Sequence, residues 1–166
     1  MDVIEGLLRI KRIREDSREA EMRRARQQFE AAAEEARRAA EAQRRRDLER
    51  AGRERAMYAD VCKRTVVVRE LDELKLEVDA MKIAAKADAQ AVVDAQAQRQ
   101  ARRQAFDEAT GAWRLAAQAT RKFEDLSAQQ REERAKHAEW LADLELEEHT
   151  GRSHAVQAME DEPQEA

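Results

Sequence analysis

Few residues in this sequence have side chains that could bind a metal ion or attack a substrate. Its 166 residues include three histidines and one cysteine. His137, His149 and His154 lie toward the C-terminus with no cysteine close by, unlike the tight Cys and His spacings of zinc sites. We interpret Cys62 as a small packing residue of a protein from a reducing compartment. We therefore predict no metal ion and no cofactor.

No sequence motif indicates catalysis. The chain has no glycine-rich phosphate loop, no His-Glu-x-x-His and no nucleophile elbow. We predict that it is not an enzyme and that it acts by contacting other proteins.

Basic residues near the N-terminus are the first candidates for a charged contact. Arg9, Lys11 and Arg12 flank the most apolar segment of the chain, residues 3–13. We predict that they bind a partner, with a solvated helix face as the alternative, because acidic and basic residues alternate through most of the sequence. The arginine triplet at 44–46 is assigned to a solvated face. The formal net charge of -4 argues against nucleic acid as a partner.

The composition indicates that long α-helices position these residues. Charged residues make up 41% of the chain and aromatic residues 4%, which leaves too little bulky apolar material for a globular core. Alanine, glutamate, arginine, glutamine and leucine dominate, and all of them favour helix. One proline and four glycines are too few for the turns of a β-sheet fold.

The sequence also predicts a cytoplasmic location. No apolar run approaches the roughly 20 residues of a membrane-spanning helix. The first ten residues lack the basic and then apolar order of a signal peptide. We expect no direct membrane insertion, so that any membrane association would come through partners.

Seven-residue spacing in both halves of the chain is typical of a coiled coil. In the first half the series consists of Leu8, Glu15, Met22, Phe29, Ala36, Gln43, Arg50 and Met57. In the second half there are two series: Val92, Arg99, Phe106, Trp113, Thr120, Ser127, Arg134 and Leu141, and Ala95, Arg102, Ala109, Ala116, Phe123, Gln130, His137 and Leu144. Each half therefore needs a helical neighbour along this seam.

A break between these series predicts that the chain folds back. Residues 62–69 contain the longest run of β-branched residues, which lose side-chain freedom in a helix. The predicted fold is all-α, a long antiparallel two-helix coiled-coil hairpin. Its first arm covers about residues 2–63, the reversal about 62–69 and the second arm about 70–150, in one domain of residues 1–150, followed by an acidic tail, 151–166, that we expect to fray. One continuous helix is the main alternative.

This reversal pairs residues whose numbers sum to about 133, which places Phe29 near Gln104 to Phe106. Beyond about residue 130 the second arm would have no partner in the first. Trp140, Leu141 and Leu144 continue the apolar stripe there. An unpaired apolar stripe indicates a binding surface, so we predict that these three residues contact a partner.

Three short segments carry a further signal. They are Leu7-Leu-Arg-Ile-Lys-Arg-Ile-Arg-Glu, then Glu54-Arg-Ala-Met-Tyr-Ala-Asp-Val leading into Glu70-Leu-Asp-Glu-Leu, and finally Arg121-Lys-Phe-Glu-Asp-Leu. In this order around a central reversal, over about residues 1–145, they resemble the YscO/FliJ family of type III secretion stalk proteins. Lys122, Phe123 and Leu126 match the Lys-Phe-x-x-Leu signature of that family.

The resemblance implies a helical hairpin similar to the coiled coil of the gamma subunit of rotary ATP synthases. It implies a stalk that sits in the ring of the secretion ATPase hexamer and links it to the export gate protein at the inner membrane. Some members also bind export chaperones. Lys122, Phe123 and Leu126 would then contact the ATPase, or they would be packing residues with Phe123 opposite Leu8 or Ile10. The free chain is expected to be a monomer.

Two other functions stay open on the sequence. A generic coiled-coil scaffold or tether would self-associate through the same seams and give a concentration-dependent oligomer. A chaperone of the prefoldin type would need a β-hairpin platform, for which this sequence has no strands. We rank the chaperone last.

Overall fold

A computed structural model describes the backbone of residues 3–160 and the side chains of residues 3–148. This range contains two helices: α1, Val3–Val61, with 59 residues, and α2, Val68–Glu160, with 93 residues. They pack as an antiparallel hairpin and no strand occurs among the described residues, which confirms the predicted all-α fold. One continuous helix is wrong, because residues 62–67 separate the two helices.

The predicted acidic tail reaches past the described residues. Its backbone is described as far as Glu160, the last residue of α2. The side chains of His149 and His154 lie outside the described part of the chain.

Local sequence accounts for the length of both helices. Ion pairs between side chains one turn apart support their exposed faces, for example Glu19 with Arg23 at 2.5 Å and Glu132 with Lys136 at 2.6 Å. Each such pair contributes only about 0.3–0.5 kcal/mol. Most of the stability must therefore come from packing between the helices.

Residues 62–67 reverse the chain without glycine or proline, and no described residue has a positive φ. Arg64 joins the two helix ends. Its guanidinium donates to Asp60 in the last turn of α1 at 3.4 Å and to both carboxylate oxygens of Glu70 in α2 at 3.1 and 3.2 Å. Glu70 also accepts a hydrogen bond from the backbone N–H of Val67 at 3.3 Å, and so caps the first turn of α2.

This network changes the proton affinity of both charged groups. The hydrogen bond from Arg64, and after it the bond from the Val67 N–H, lowers the pKa of Glu70 below its ordinary value. The bond to Glu70 in turn raises the pKa of Arg64. Cys62, in the same segment, is an exposed free thiol. The predicted packing role of Cys62 is therefore wrong. The last half-buried residue of α1 is its neighbour, Val61.

The hairpin divides into two compact units, and each helix contributes to both. Unit 1 consists of Met1–Glu15 with Leu115–Ala166, and unit 2 of Asp16–Arg114. In unit 2, Phe29 stacks on Phe106 with ring centroids 6.2 Å apart and planes inclined by 1°. This contact agrees with the predicted register of the two helices.

Ion pairs cross the seam elsewhere in unit 2. Arg46 and Arg50 on α1 both pair with Asp88 on α2, Arg46 at 2.5 Å. Arg53 pairs in the same way with Glu77. The arginine triplet was predicted to lie on a solvated face. Arg46 differs from this prediction in one respect, because it also pairs with a residue of the other helix.

The predicted seam of α1 is covered along its whole length. All eight residues of the series from Leu8 to Met57 are buried or half-buried. The series of α2 is covered at Val92 and from Phe106 to Ser127, whereas Arg99, Arg134 and Leu141 are exposed. In unit 1, Leu8, Thr120 and Ser127 are buried, and the Thr120 hydroxyl donates to the carbonyl of Ala116 at 3.1 Å. This bond one turn back allows a polar side chain to be buried in the seam.

Candidate partner-binding site

In unit 1 the register of the hairpin brings three of the predicted site residues together. The ammonium group of Lys11 on α1 lies 5.3 Å from the centroid of the Phe123 ring on α2, a cation–π contact. One residue further along each helix, the Arg12 guanidinium donates to the Glu124 carboxylate at 3.0 Å. The alternative, that Phe123 packs opposite Leu8 or Ile10, stays a prediction beside this contact with Lys11.

Arg9 and Arg12 border a shallow groove between the helices. Glu5, Leu8, Ser127 and Arg131 complete its lining. The guanidinium of Arg131 donates to the carbonyl of Ser127 at 3.3 Å, which holds it beside the groove. Three guanidinium groups thus share this side of unit 1 with the carboxylates of Glu5 and Glu124. A surface with this mixture of charges can orient a charged partner.

Sequence reasoning missed Glu124 and Arg131. Glu124 lies four residues after the seam residue Thr120 and Arg131 four after Ser127, just as Arg12 lies four after Leu8. Antiparallel pairing brings such positions of the two helices together. The register of the hairpin was the signal that could have found them.

The Lys-Phe-x-x-Leu signature is divided between two environments. Phe123 is half-buried in the seam, whereas Lys122 and Leu126 are exposed. Phe123 therefore contributes to packing, and the two flanking side chains are available for contact with another molecule.

The remaining predicted site residues lie further along α2. Trp140, Leu141 and Leu144 are 56%, 44% and 37% exposed. The Trp140 ring lies 5.7 Å from that of His137, with the planes inclined by 45°. Trp140 follows Phe123 by 17 residues in the sequence, which corresponds to about 25 Å along a helix. The site residues thus form two groups, one around Lys11 and Phe123 and one around Trp140.

Two further observations bear on the kind of site. In residues 3–148, no three His, Cys, Asp or Glu side chains come together as a metal-binding group. Within the described residues, neither helix has a stretch of the length and hydropathy that a membrane span needs.

These features define a class, the long antiparallel α-helical hairpins with exposed charged and apolar side chains. The family model described as type III secretion protein YscO matches residues 4–151 of the chain. The chain belongs to this YscO family, and it is a component of a type III secretion system with partners in the secretion apparatus.

A solved structure supports the fold. The chain is similar to the type III secretion protein YscO from Vibrio parahaemolyticus, known from a crystal structure at 2.8 Å resolution. The TM-score is 0.76 and the sequence identity 24%, over 87% of this chain and 91% of the other. No curated protein matches the sequence.

Proposed function

We propose that this protein is a non-enzymatic central stalk component of a bacterial type III secretion system. It acts in the cytoplasm beside the inner-membrane apparatus, where it binds the export ATPase ring and couples it to the export gate protein. Export chaperones are a further class of partner. The proposal rests on the family and on the surface of unit 1.

The observation that carries the proposal is the presence of two kinds of contact surface on unit 1. One is the charged group of Arg9, Lys11 and Arg12 beside Phe123. The other is the exposed stripe of Trp140, Leu141 and Leu144. Charged groups accelerate and orient association, whereas buried aromatic and aliphatic side chains supply most of the affinity. Together they suit a stalk that enters a ring and is then held there.

The proposed role is mechanical. Catalysis needs convergent groups in a site that excludes water, whereas a groove between two helices is open along its length. The contribution to secretion would be to assemble the ATPase and to transmit its conformational changes.

The test is to mix the purified chain with its candidate secretion ATPase and to measure co-elution, light scattering and ATP turnover. We expect a monomer near 19.1 kDa that co-elutes with the ATPase and raises its turnover. The double variant Leu141→Glu/Leu144→Glu should lose binding by about tenfold or more, because it places charges in an apolar contact.

Leu48→Glu is the control, because Leu48 is also an exposed leucine but lies in unit 2. It should bind as well as the unchanged chain. Truncation after Gln130 should abolish stimulation. If the truncated chain stimulates the ATPase fully, the role of the Trp140 stripe is wrong. A self-associated chain that ignores the ATPase would instead favour the scaffold function.

A further inference from the structure

One side of unit 1 exposes large apolar residues on both helices. They are Val3, Leu7 and Ile10 on α1 and Leu115 and Leu126 on α2, which are 75%, 40%, 48%, 69% and 47% exposed. These residues lie outside the seam, which is formed here by Leu8, Phe123 and Ser127. Their exposure therefore needs an explanation other than packing between α1 and α2.

The heptad positions place Leu7 and Leu126 on the same side of the hairpin. Leu8 and Ser127 both line the groove between the helices at equivalent seam positions, so Leu7 and Leu126 each directly precede a seam residue. In an antiparallel pair, residues that precede the seam on one helix face their counterparts on the other. The Arg12–Glu124 pair marks the opposite side. Leu7 and Leu126 thus border the seam on the same side, away from Arg12.

The two helices carry stripes of identical spacing on this side. On α1 the stripe is Val3, Leu7, Ile10 and Arg14, and on α2 it is Leu115, Ala119, Lys122 and Leu126, both at steps of four, three and four residues. This spacing follows one face of a helix through three turns. The contacts of Lys11 with Phe123 and of Arg12 with Glu124 set these stripes partly alongside each other. Together they form an extended apolar strip of the kind against which a third helix can pack.

The charges on the two sides differ, and the difference selects the ligand. Along the two stripes, and at Gln129 three residues after Leu126, the charged residues are Arg14 and Lys122. No acidic residue occurs at these positions. The opposite side carries Glu5, Arg9, Arg12, Glu124 and Arg131, which are of both signs. A helix that enters the apolar side should therefore have acidic residues at its borders.

We propose that this apolar flank, formed by Val3, Leu7, Ile10, Leu115 and Leu126, binds an amphipathic α-helix of a partner protein. The apolar stripe of that helix is bordered by glutamate or aspartate, which pair with Arg14 and Lys122. The inference uses only the geometry and charge of unit 1. It stands whether or not the export ATPase is the partner, although Lys122 and Leu126 also belong to the predicted site.

The test uses the full chain and two synthetic helical peptides of about 20 residues, long enough to form helix. Both carry leucine at the seam positions, with glutamate at the borders of one and lysine at the borders of the other. Fluorescence anisotropy should show binding of the glutamate peptide and at least about tenfold weaker binding of the lysine peptide. Leu7→Glu/Ile10→Glu should weaken binding of the glutamate peptide by a similar factor, whereas Leu48→Glu should not change it.

A charge reversal gives the sharper result. Arg14→Glu/Lys122→Glu changes only exposed residues, and helical circular dichroism should confirm that it folds. It should shift the preference from the glutamate to the lysine peptide. Binding that is equal for both peptides, or unaffected at Leu7 and Ile10, overturns the proposal.

Two other occupants give distinguishable outcomes, and both contradict the proposal. If a second copy covers the flank, light scattering will show a dimer that Leu7→Glu/Ile10→Glu dissociates. If a membrane surface covers it, the chain will bind phosphatidylglycerol vesicles through Leu7 and Ile10 and neither peptide.

Discussion

Two parts of α2 within unit 1 follow the same seven-residue series but differ in exposure. In the part packed against α1, Thr120 and Ser127 are only 4% and 3% exposed although their side chains are polar. Further along, Leu141 occupies the equivalent position and is 44% exposed although it is apolar. Burial in this protein therefore depends on the presence of an opposing helix more than on residue type. The heptad pattern identifies the face of the helix, and the second helix decides whether that face is covered.

This difference separates residues that stabilise the hairpin from residues available to partners. Covered seam residues, such as Leu8, contribute to folding through burial. Exposed residues of the same series contribute little to folding, so their apolar character is more useful in binding. The two groups can be changed independently, which makes the comparison testable.

The largest expected effect is on the covered leucine. Leu8→Ala should lower the free energy of unfolding by about 2–3 kcal/mol, because it removes buried methyl groups and leaves a cavity. Leu141→Ala, the same change at the equivalent position of the exposed part, should stay within about 0.5 kcal/mol. Urea denaturation followed by circular dichroism measures both. Equal losses for the two variants would contradict the comparison.

The next effect concerns a charged contact in the covered seam of unit 2. Arg50 and Asp88 have side chains only 17% and 16% exposed. Asp88→Ala leaves the arginine without this partner, and Asp47 compensates it only in part. We expect a loss of about 1–3 kcal/mol in the free energy of unfolding.

The control for this ion pair removes both charges. Arg50→Leu/Asp88→Leu should restore or exceed the original stability, because a buried ion pair can be replaced by apolar packing. A double variant as unstable as Asp88→Ala would show that the pair stabilises the seam beyond satisfying its own charges.

Much of the fold followed from the sequence, because both helices depend on local composition and regular spacing. The series from Leu8 to Met57 predicted the covered face of α1 at every position. The stack of Phe29 on Phe106 followed from the register that a reversal near residue 66 imposes. Long helices with a seven-residue period leave few alternatives for their pairing.

The contacts within the reversal and at the site were harder to predict, because they join distant or irregular segments. No glycine or proline marks the turn, and the Arg64 bonds to Asp60 and Glu70 leave no local sequence signature. The contact of Lys11 with Phe123 required the register to be correct within one residue. The seven-residue series does not identify the apolar flank, because the residues of the flank lie beside the seam and not on it.

A smaller, stabilising effect is expected at the glycines within the helices. A Cβ atom at Gly52 would meet nothing within 4 Å, and its φ is not positive. Gly52→Ala should therefore raise the free energy of unfolding by about 0.5–1 kcal/mol by reducing the freedom of the unfolded chain. The melting temperature should rise by about 1–4 °C. Ala51→Gly, at the exposed neighbouring position, should lower it by a similar amount.

Gly6→Ala extends this test to unit 1, because a Cβ there would also meet nothing within 4 Å. If helix propensity acts alike in the two units, both alanine variants should stabilise the chain. A gain at Gly52 alone would indicate that residues 3–15 unfold before the rest of the hairpin.

The smallest expected effect is a dependence of the reversal on pH. The pKa of Glu70 is lowered in the folded chain by its bonds to Arg64 and the Val67 N–H. The folded state therefore binds this proton more weakly than the unfolded state does. The contribution of Glu70 to stability is fully present above its ordinary pKa and is lost as the pH falls through the lowered value.

Glu70→Gln should thus lower the melting temperature at neutral pH, and the difference from the unchanged chain should disappear in acid. Solvent screens the pair of Arg64 and Glu70, so the difference in melting temperature should be small. Asp72→Asn in the same helix controls for the change in net charge. A difference that persists unchanged in acid would mean that Glu70 acts through packing and not through its charge.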